Sequence, residues 1–160
     1  MKTKLKYLIV LSFLFLFSSS SVVFGDDYQD GVDAYKRKDY KTAYKLWLPL
    51  AEQGNALAQF FLGLMYAEGQ GVPQDYKEAV KWFRLSAEQG LAQAQYNLGV
   101  IYGKGQGVPQ DDVLAHMWFN LSSSQGITTA IKNRNIVENK MTKQQINKAQ
   151  ELGRNWKPKK

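Results

Sequence analysis

From Tyr40 onward, apolar residues recur three and four positions apart. Tyr40, Ala43, Tyr44, Trp47, Leu50 and Ala51 gather on one side of a helix, with Lys41, Lys45 and Glu52 opposite. Gly54 ends that helix, because glycine enters the left-handed C-cap conformation cheaply. The next stretch, NALAQFFLGLMYAEG, places Ala58, Phe61, Leu62 and Met65 at helical intervals. Ala56, Ala58 and Gly63 are small, as are Ala92, Ala94 and Gly99 one period later, so the two helices are expected to approach closely as an α-hairpin. Pro49 lies inside the first helix and is expected to kink or shorten it. Every segment between turns has this helical period, which predicts an all-α protein.

The pattern repeats. Residues 40–75 align with residues 76–111 without a gap, and 21 of the 36 positions are identical. A third copy begins at Asp112, keeps Ala115, Phe119, Gly126 and Ala130, and then drifts. Self-similarity at this period signals a repeat architecture of stacked helix hairpins. The predicted segments are two repeats at 40–75 and 76–111 and a degenerate third at 112–141.

The sharpest identity is GQGVPQD, at residues 69–75 and again at 105–111. Gly69 and Gly71, with Gly105 and Gly107, permit backbone angles closed to other residues. Pro73 and Pro109 block continuation of the preceding helix. Asp75 and Asp111 are placed to cap the next one, Asp75 with Glu78 as a capping-box-like partner. The motif reads as a structural joint. A phosphate-binding loop would follow a strand and end in Gly-Lys-Ser/Thr; this run follows a helix and ends in Pro-Gln-Asp.

The pattern Ala-x-x-x-[Trp/Phe]…AEQG-x-A-x-AQ-x-x-LG-x-x-Y-x-x-GQGVPQD resembles the Sel1-like repeat family, a relative of the tetratricopeptide repeats. The resemblance covers nearly all of the chain after residue 25. It weakens in the third copy, where Ser122–Ser124 replace the expected Ala-Glu stretch and no third joint follows. It implies an α/α superhelical solenoid of helix hairpins with a 36-residue period and capping helices. It also implies a protein that binds other proteins or peptides, and bacterial members are often exported. Some cysteine-rich relatives are linked to β-lactam binding or hydrolysis. A solenoid needs its ends covered. Residues 26–39 are expected to form an N-terminal capping helix presenting Val32 and Tyr35. Residues 142–160 are expected to form a C-terminal capping helix and basic tail, started by Thr142 with Gln145 and lined by Ile146, Ala149, Leu152 and Trp156.

The first 25 residues have the three-part pattern of a secretory signal peptide. Lys2, Lys4 and Lys6 precede an apolar run of eleven residues, Tyr7 to Phe17, and Val23 and Gly25 suit cleavage after Gly25. The run is shorter than the roughly 20 residues a bilayer span requires. The expectation is an exported protein, periplasmic or secreted, with no membrane span after signal removal. Absence of cysteine excludes disulfides, Cys-ligated metal and a lipid-modified cysteine anchor.

Charge is unevenly placed. The chain is +7 overall, yet residues 26–131 carry 9 basic and 12 acidic side chains, and residues 132–160 carry 9 basic and 2 acidic. Export argues against a nucleic-acid partner, and a solvated helix face with a basic tail accounts for the charge.

No catalytic, cofactor-binding or metal-binding residues are assigned. His116 has no cysteine, second histidine or carboxylate pair beside it in the sequence, and aligns with Tyr44 and Val80 as a packed residue. Glu52 and Glu88, with Gln53 and Gln89, recur at one repeat position and read as holding helix ends. No G-x-S-x-G elbow or S-x-x-K is present. Trp47, Trp82, Phe83, Trp118 and Phe119 read as core. The candidate partner contacts are the varying residues opposite the core: Lys41, Lys45 and Leu48; Lys77, Lys81 and Arg84; Val113, Met117 and Asn120. A solvated face fits the same row. The leading reading is a non-enzymatic scaffold that binds another protein or an extended peptide. The alternatives are an envelope enzyme related to the β-lactam-binding members and a basic binder of anionic envelope polymers.

Overall fold

The computed structural model describes residues 26–159; residues 1–25, on which the expected signal peptide falls, and Lys160 lie outside the described residues. Eight helices follow one another: α1 over 26–36, α2 Tyr40–Glu52, α3 Ala56–Glu68, α4 Tyr76–Glu88, α5 Ala92–Lys104, α6 Asp112–Ser124, α7 Thr128–Glu138 and α8 Lys143–Asn155. No strand occurs among the described residues. The fold is the expected α/α superhelical solenoid. Pro49 does not shorten α2, which has the same 13 residues as α4. Its missing N–H falls on an exposed stretch of helix, where water can serve the freed carbonyl.

The closest helix pairs span the GQGVPQD joints. Gly63 of α3 sits against the ring of Phe83 of α4, where a Cβ would come within 2.6 Å, and Gly99 stands in the same relation to Phe119 at 2.5 Å. Gly63 therefore serves α4 across the joint, whereas Ala58 is buried with Ala43 and Trp47 of α2, as expected of the hairpin. Phe83 and Phe119 are 1% and 2% exposed, and burying each is worth about 2–3 kcal/mol. The joints behave as read. Gly69 and Gly105 are left-handed C-caps at φ 68 and 67, and Gly71 and Gly107 have φ 73 and 71. The Asp75 carboxylate accepts from the Lys77 and Glu78 amides, and Asp111 from Leu114. Glu78 does not return the bond as a capping box would; its carboxylate pairs with Lys81.

Repeated side-chain bonds tie neighbouring hairpins. Gln59 Nε2 donates to the Ala51 carbonyl at 2.9 Å, Gln89 donates to Gln59 Oε1 at 2.8 Å, and Gln95 and Gln125 repeat both bonds one period later. The last turn of a helix leaves carbonyls without intrahelical donors, and the buried glutamines Gln59 and Gln95 supply donors to α2 and α4. Ser86 and Ser122 hydroxyls donate to the Ala56 and Ala92 carbonyls. The serine run of the third copy thus keeps one of the ties.

Both ends are covered. At the N-terminal end, Trp47 is fully buried, stacks on Phe61 at 4.4 Å and donates Nε1 to the Tyr28 carbonyl. Val32, Tyr35 and Tyr28 complete this cluster. At the C-terminal end, α8 starts in the expected Thr142–Gln145 capping box and packs on α6. Ala149 is fully buried, Ile146 is half-buried and Trp156 stands edge-on to Trp118 at 6.3 Å. Leu152, expected on the packed face, is 37% exposed; Gly153 faces α6 instead, within ordinary contact of Asn120 and Met117.

Candidate functional surface

The nine candidate contacts fall three to a helix at equivalent positions of α2, α4 and α6. Lys41 and Lys45 on α2, and Lys77, Lys81 and Arg84 on α4, are exposed. Arg84 leans toward α5 and donates to the Tyr102 hydroxyl at 2.5 Å. Leu48 is half-buried against the α1–α3 core. Val113 is half-buried. The α6 part of the row departs from the expectation of a free surface. Met117 is 6% exposed, because α8 lies over it, and the Asn120 carbonyl oxygen Oδ1 accepts from Arg134 Nη1 at 3.0 Å. The apolar character of Met117 is thereby accounted for within the fold.

At the C-terminal ends of α2 and α4 lies a groove of about 580 Å³. Ala51, Trp82 and Leu85 give it apolar walls, and Glu52, Glu88 and Gln89 its polar ones. Glu88 is engaged by Lys159, whose Nζ reaches Oε2 at 2.7 Å and whose main-chain N–H donates to the Glu88 carbonyl at 2.7 Å. The tail leaving α8 is therefore held against α4 as extended chain. Pro158 rests beside Gly90, its Cβ 3.8 Å from where a Gly90 Cβ would stand. Sequence alone gave no signal for this contact, which joins residues 71 positions apart.

His116 is 2% exposed, as a packed residue should be, yet α7 brings it a carboxylate: Nε2 lies 3.1 Å from Glu138 Oε2. That partner, 22 residues away, was invisible in the local sequence. Between α2 and α3, the Tyr44 and Tyr66 hydroxyls meet at 3.0 Å, and this bond, followed by burial, pushes the Tyr66 pKa up to about 12. No cluster of three or more potential metal ligands occurs among the described residues. No helix among them is long and apolar enough to cross a membrane.

Comparison with known proteins agrees with this geometry. The Sel1 repeat matches residues 25–55, 56–91 and 92–127. Its frame takes α3 with α4 and α5 with α6 as units, the pairs that pack on Gly63 and Gly99. A crystal structure of a protective antigen present in uropathogenic Escherichia coli strains, displaying an SLR fold, superposes with a TM-score of 0.79 at 34% identity, over 83% of this chain and 29% of that one. A Sel1 repeat protein from Oxalobacter formigenes superposes with a TM-score of 0.68 at 30% identity, over 79% of this chain and 56% of that one. The chain thus spans between about a third and just over half the length of these structures. Among curated proteins, none matches.

Proposed function

The chain belongs to the Sel1 repeat family, and on that premise we propose that it is a non-enzymatic scaffold of the bacterial envelope or secreted space that binds another protein or an extended peptide. The carrying observation is that Lys41, Lys45, Lys77, Lys81 and Arg84 are all exposed on equivalent turns of α2 and α4. None of the five is part of the core, although Lys81 pairs with Glu78 and Arg84 donates to the Tyr102 hydroxyl. A surface of repeated helices offers many small contacts along one line, which suits an extended or helical segment of another protein.

Export is supported by the lysine-flanked apolar run of the first 25 residues. Amino-terminal sequencing of the protein recovered outside the cytoplasm is expected to begin at Asp26. The binding role is tested by affinity capture from the envelope fraction, comparing the parent with the double variant Lys45→Glu/Lys81→Glu. The expected result is a defined protein retained by the parent and lost by the variant, with both melting at the same temperature. Identical capture by both would show that the row is a solvated face.

A further inference from the structure

The groove at the ends of α2 and α4 already holds a piece of polypeptide. Trp156 anchors on Trp118, Pro158 rests on Gly90, and Lys159 makes one main-chain bond and one ion pair to Glu88. In the last turn of α4 the Ser86 and Ala87 carbonyls accept from the Gln89, Gly90, Leu91 and Gln95 N–H groups, which leaves the Glu88 carbonyl to the tail, at a helix C-terminus that carries partial negative charge. An extended chain with a lysine satisfies both features at once, its N–H on the carbonyl and its ammonium on the carboxylate. The α2 end repeats the arrangement one hairpin earlier, with Glu52 in the same groove. The α6 end does not, since Ser124 occupies the equivalent position. Between the two carboxylates, Leu85 remains 45% exposed as an apolar wall that the described part of the tail leaves largely open.

We propose that this groove recognises an extended, lysine-bearing peptide, and that Lys157–Lys159, tethered by Trp156, is an occupant which such a peptide displaces. The inference rests on the peptide-binding reading above and narrows it to a cationic ligand at the C-terminal ends of α2 and α4. Charge selects that ligand: the lysines of the row lie toward the helix N-termini, whereas the groove presents Glu52, Glu88 and two helix C-termini. The tail is held weakly enough to exchange. Its ion pair is solvent-exposed, with 73% of the Lys159 side chain accessible, and such pairs contribute little.

The test uses a fluorescein-labelled peptide of residues 155–160, NWKPKK, and two proteins, residues 26–160 and the same chain stopped after Trp156. Stopping there keeps Trp156 on Trp118 while removing Lys157 to Lys160. A short tether supplies a local concentration in the millimolar range, so the peptide is expected to bind the shortened chain about tenfold or more tightly than the full chain. Glu88→Gln in the shortened chain is expected to weaken binding about two- to fivefold, the range of an exposed ion pair. No binding to the shortened chain, equal affinity for both chains, or indifference to Glu88→Gln would overturn the proposal. Should the shortened chain melt early, the full chain still decides. Its Lys159 amide resonance is expected to move toward the random-coil position as unlabelled NWKPKK is added, and an amide that stays fixed at millimolar peptide overturns the proposal. A displayed random-peptide library separates the two levels. Selection of peptides without basic residues, none of them competing with the tail, refutes the lysine-bearing ligand while leaving peptide binding in place; selection of none refutes both.

Discussion

Gly107 lies directly against the main chain of Tyr76, so that a Cβ on Gly107 would stand 2.6 Å from the Tyr76 carbonyl carbon. Gly71 meets Tyr40 in the same way at 2.8 Å. The joint leaving one hairpin is thus pressed onto the first residue of that hairpin's own first helix, Tyr40 of α2 or Tyr76 of α4. Each joint needs its second glycine twice over, for positive φ and for want of space, whereas Gly54 has positive φ with open space around it.

That contrast gives a direct expectation. Gly54→Ala meets only the cost of a left-handed backbone, about 1 kcal/mol. Gly107→Ala adds a clash with immobile main chain and is expected to destabilise by roughly 2 kcal/mol or more. Urea melts of the two variants measure the difference. Coincident midpoints would mean that the close approach to Tyr76 does not matter.

The repeat, the joints and both caps were legible because each is written in local sequence: a period, a glycine, a capping residue. The partner of each helix was less so. Gly63 and Gly99 announced a close approach, but a helical glycine has two possible neighbours, and only packing shows that Phe83 and Phe119 fill the space. Met117 read as a surface apolar residue because nothing in residues 112–124 tells that α8 returns over it. The Glu138–His116 and Lys159–Glu88 contacts depend on how far the chain doubles back, which no period of 36 encodes.

The C-terminal helix should matter to the fold through Ala149 and Trp156 more than through Leu152. Ala149 is fully buried, and Ala149→Glu places a charge in that contact, with an expected loss of about 2 kcal/mol or more. Leu152→Ser, at a position 37% exposed, should stay within about 0.5 kcal/mol. Ending the chain after Lys140 removes α8 altogether, uncovers Met117 and Trp118, and should lower the melting temperature and promote aggregation. Neutralising Lys157 and Lys159 should leave the melting temperature nearly unchanged, because their charges are exposed; Lys160, neutralised with them, lies outside the described residues. A chain lacking α8 that melts like the parent would refute its role as a cap.

Alkaline titration gives a separate handle on the first repeat. The Tyr66 phenol is held protonated by its bond with Tyr44, with a pKa of about 12 against 10.0 for the free group. Its folded pKa is raised, so its contribution to stability is complete below pH 10 and is lost as pH rises toward 12. Difference absorbance of the phenolate should show a late-titrating tyrosine in the parent. Tyr44→Phe removes the leading cause of the shift, so the Tyr66 transition should move to lower pH in that variant. An unchanged late transition in Tyr44→Phe would show that the hydroxyl pair is not its cause.

The buried histidine offers the most discriminating test of packing against polarity. His116 Nε2 has Glu138 as its partner, and Nδ1 has no hydrogen-bond partner among the described residues. Glu138→Ala leaves a buried imidazole with neither nitrogen bonded within the protein, for which about 1–3 kcal/mol is expected. The equivalent position of α4 is Val80, buried at 6% exposure, so valine is an accepted occupant of this site in the repeat. In a His116→Val background the Glu138 carboxylate has nothing to satisfy and, being 39% exposed, can turn to water. Glu138→Ala should then cost only a few tenths of a kcal/mol. The four urea melts of this double-mutant cycle yield the coupling directly. Equal costs of Glu138→Ala in the two backgrounds would mean that the His116–Glu138 contact adds nothing to the docking of α7 on α6, which Ala130, Val137 and the Arg134–Asn120 bond would carry.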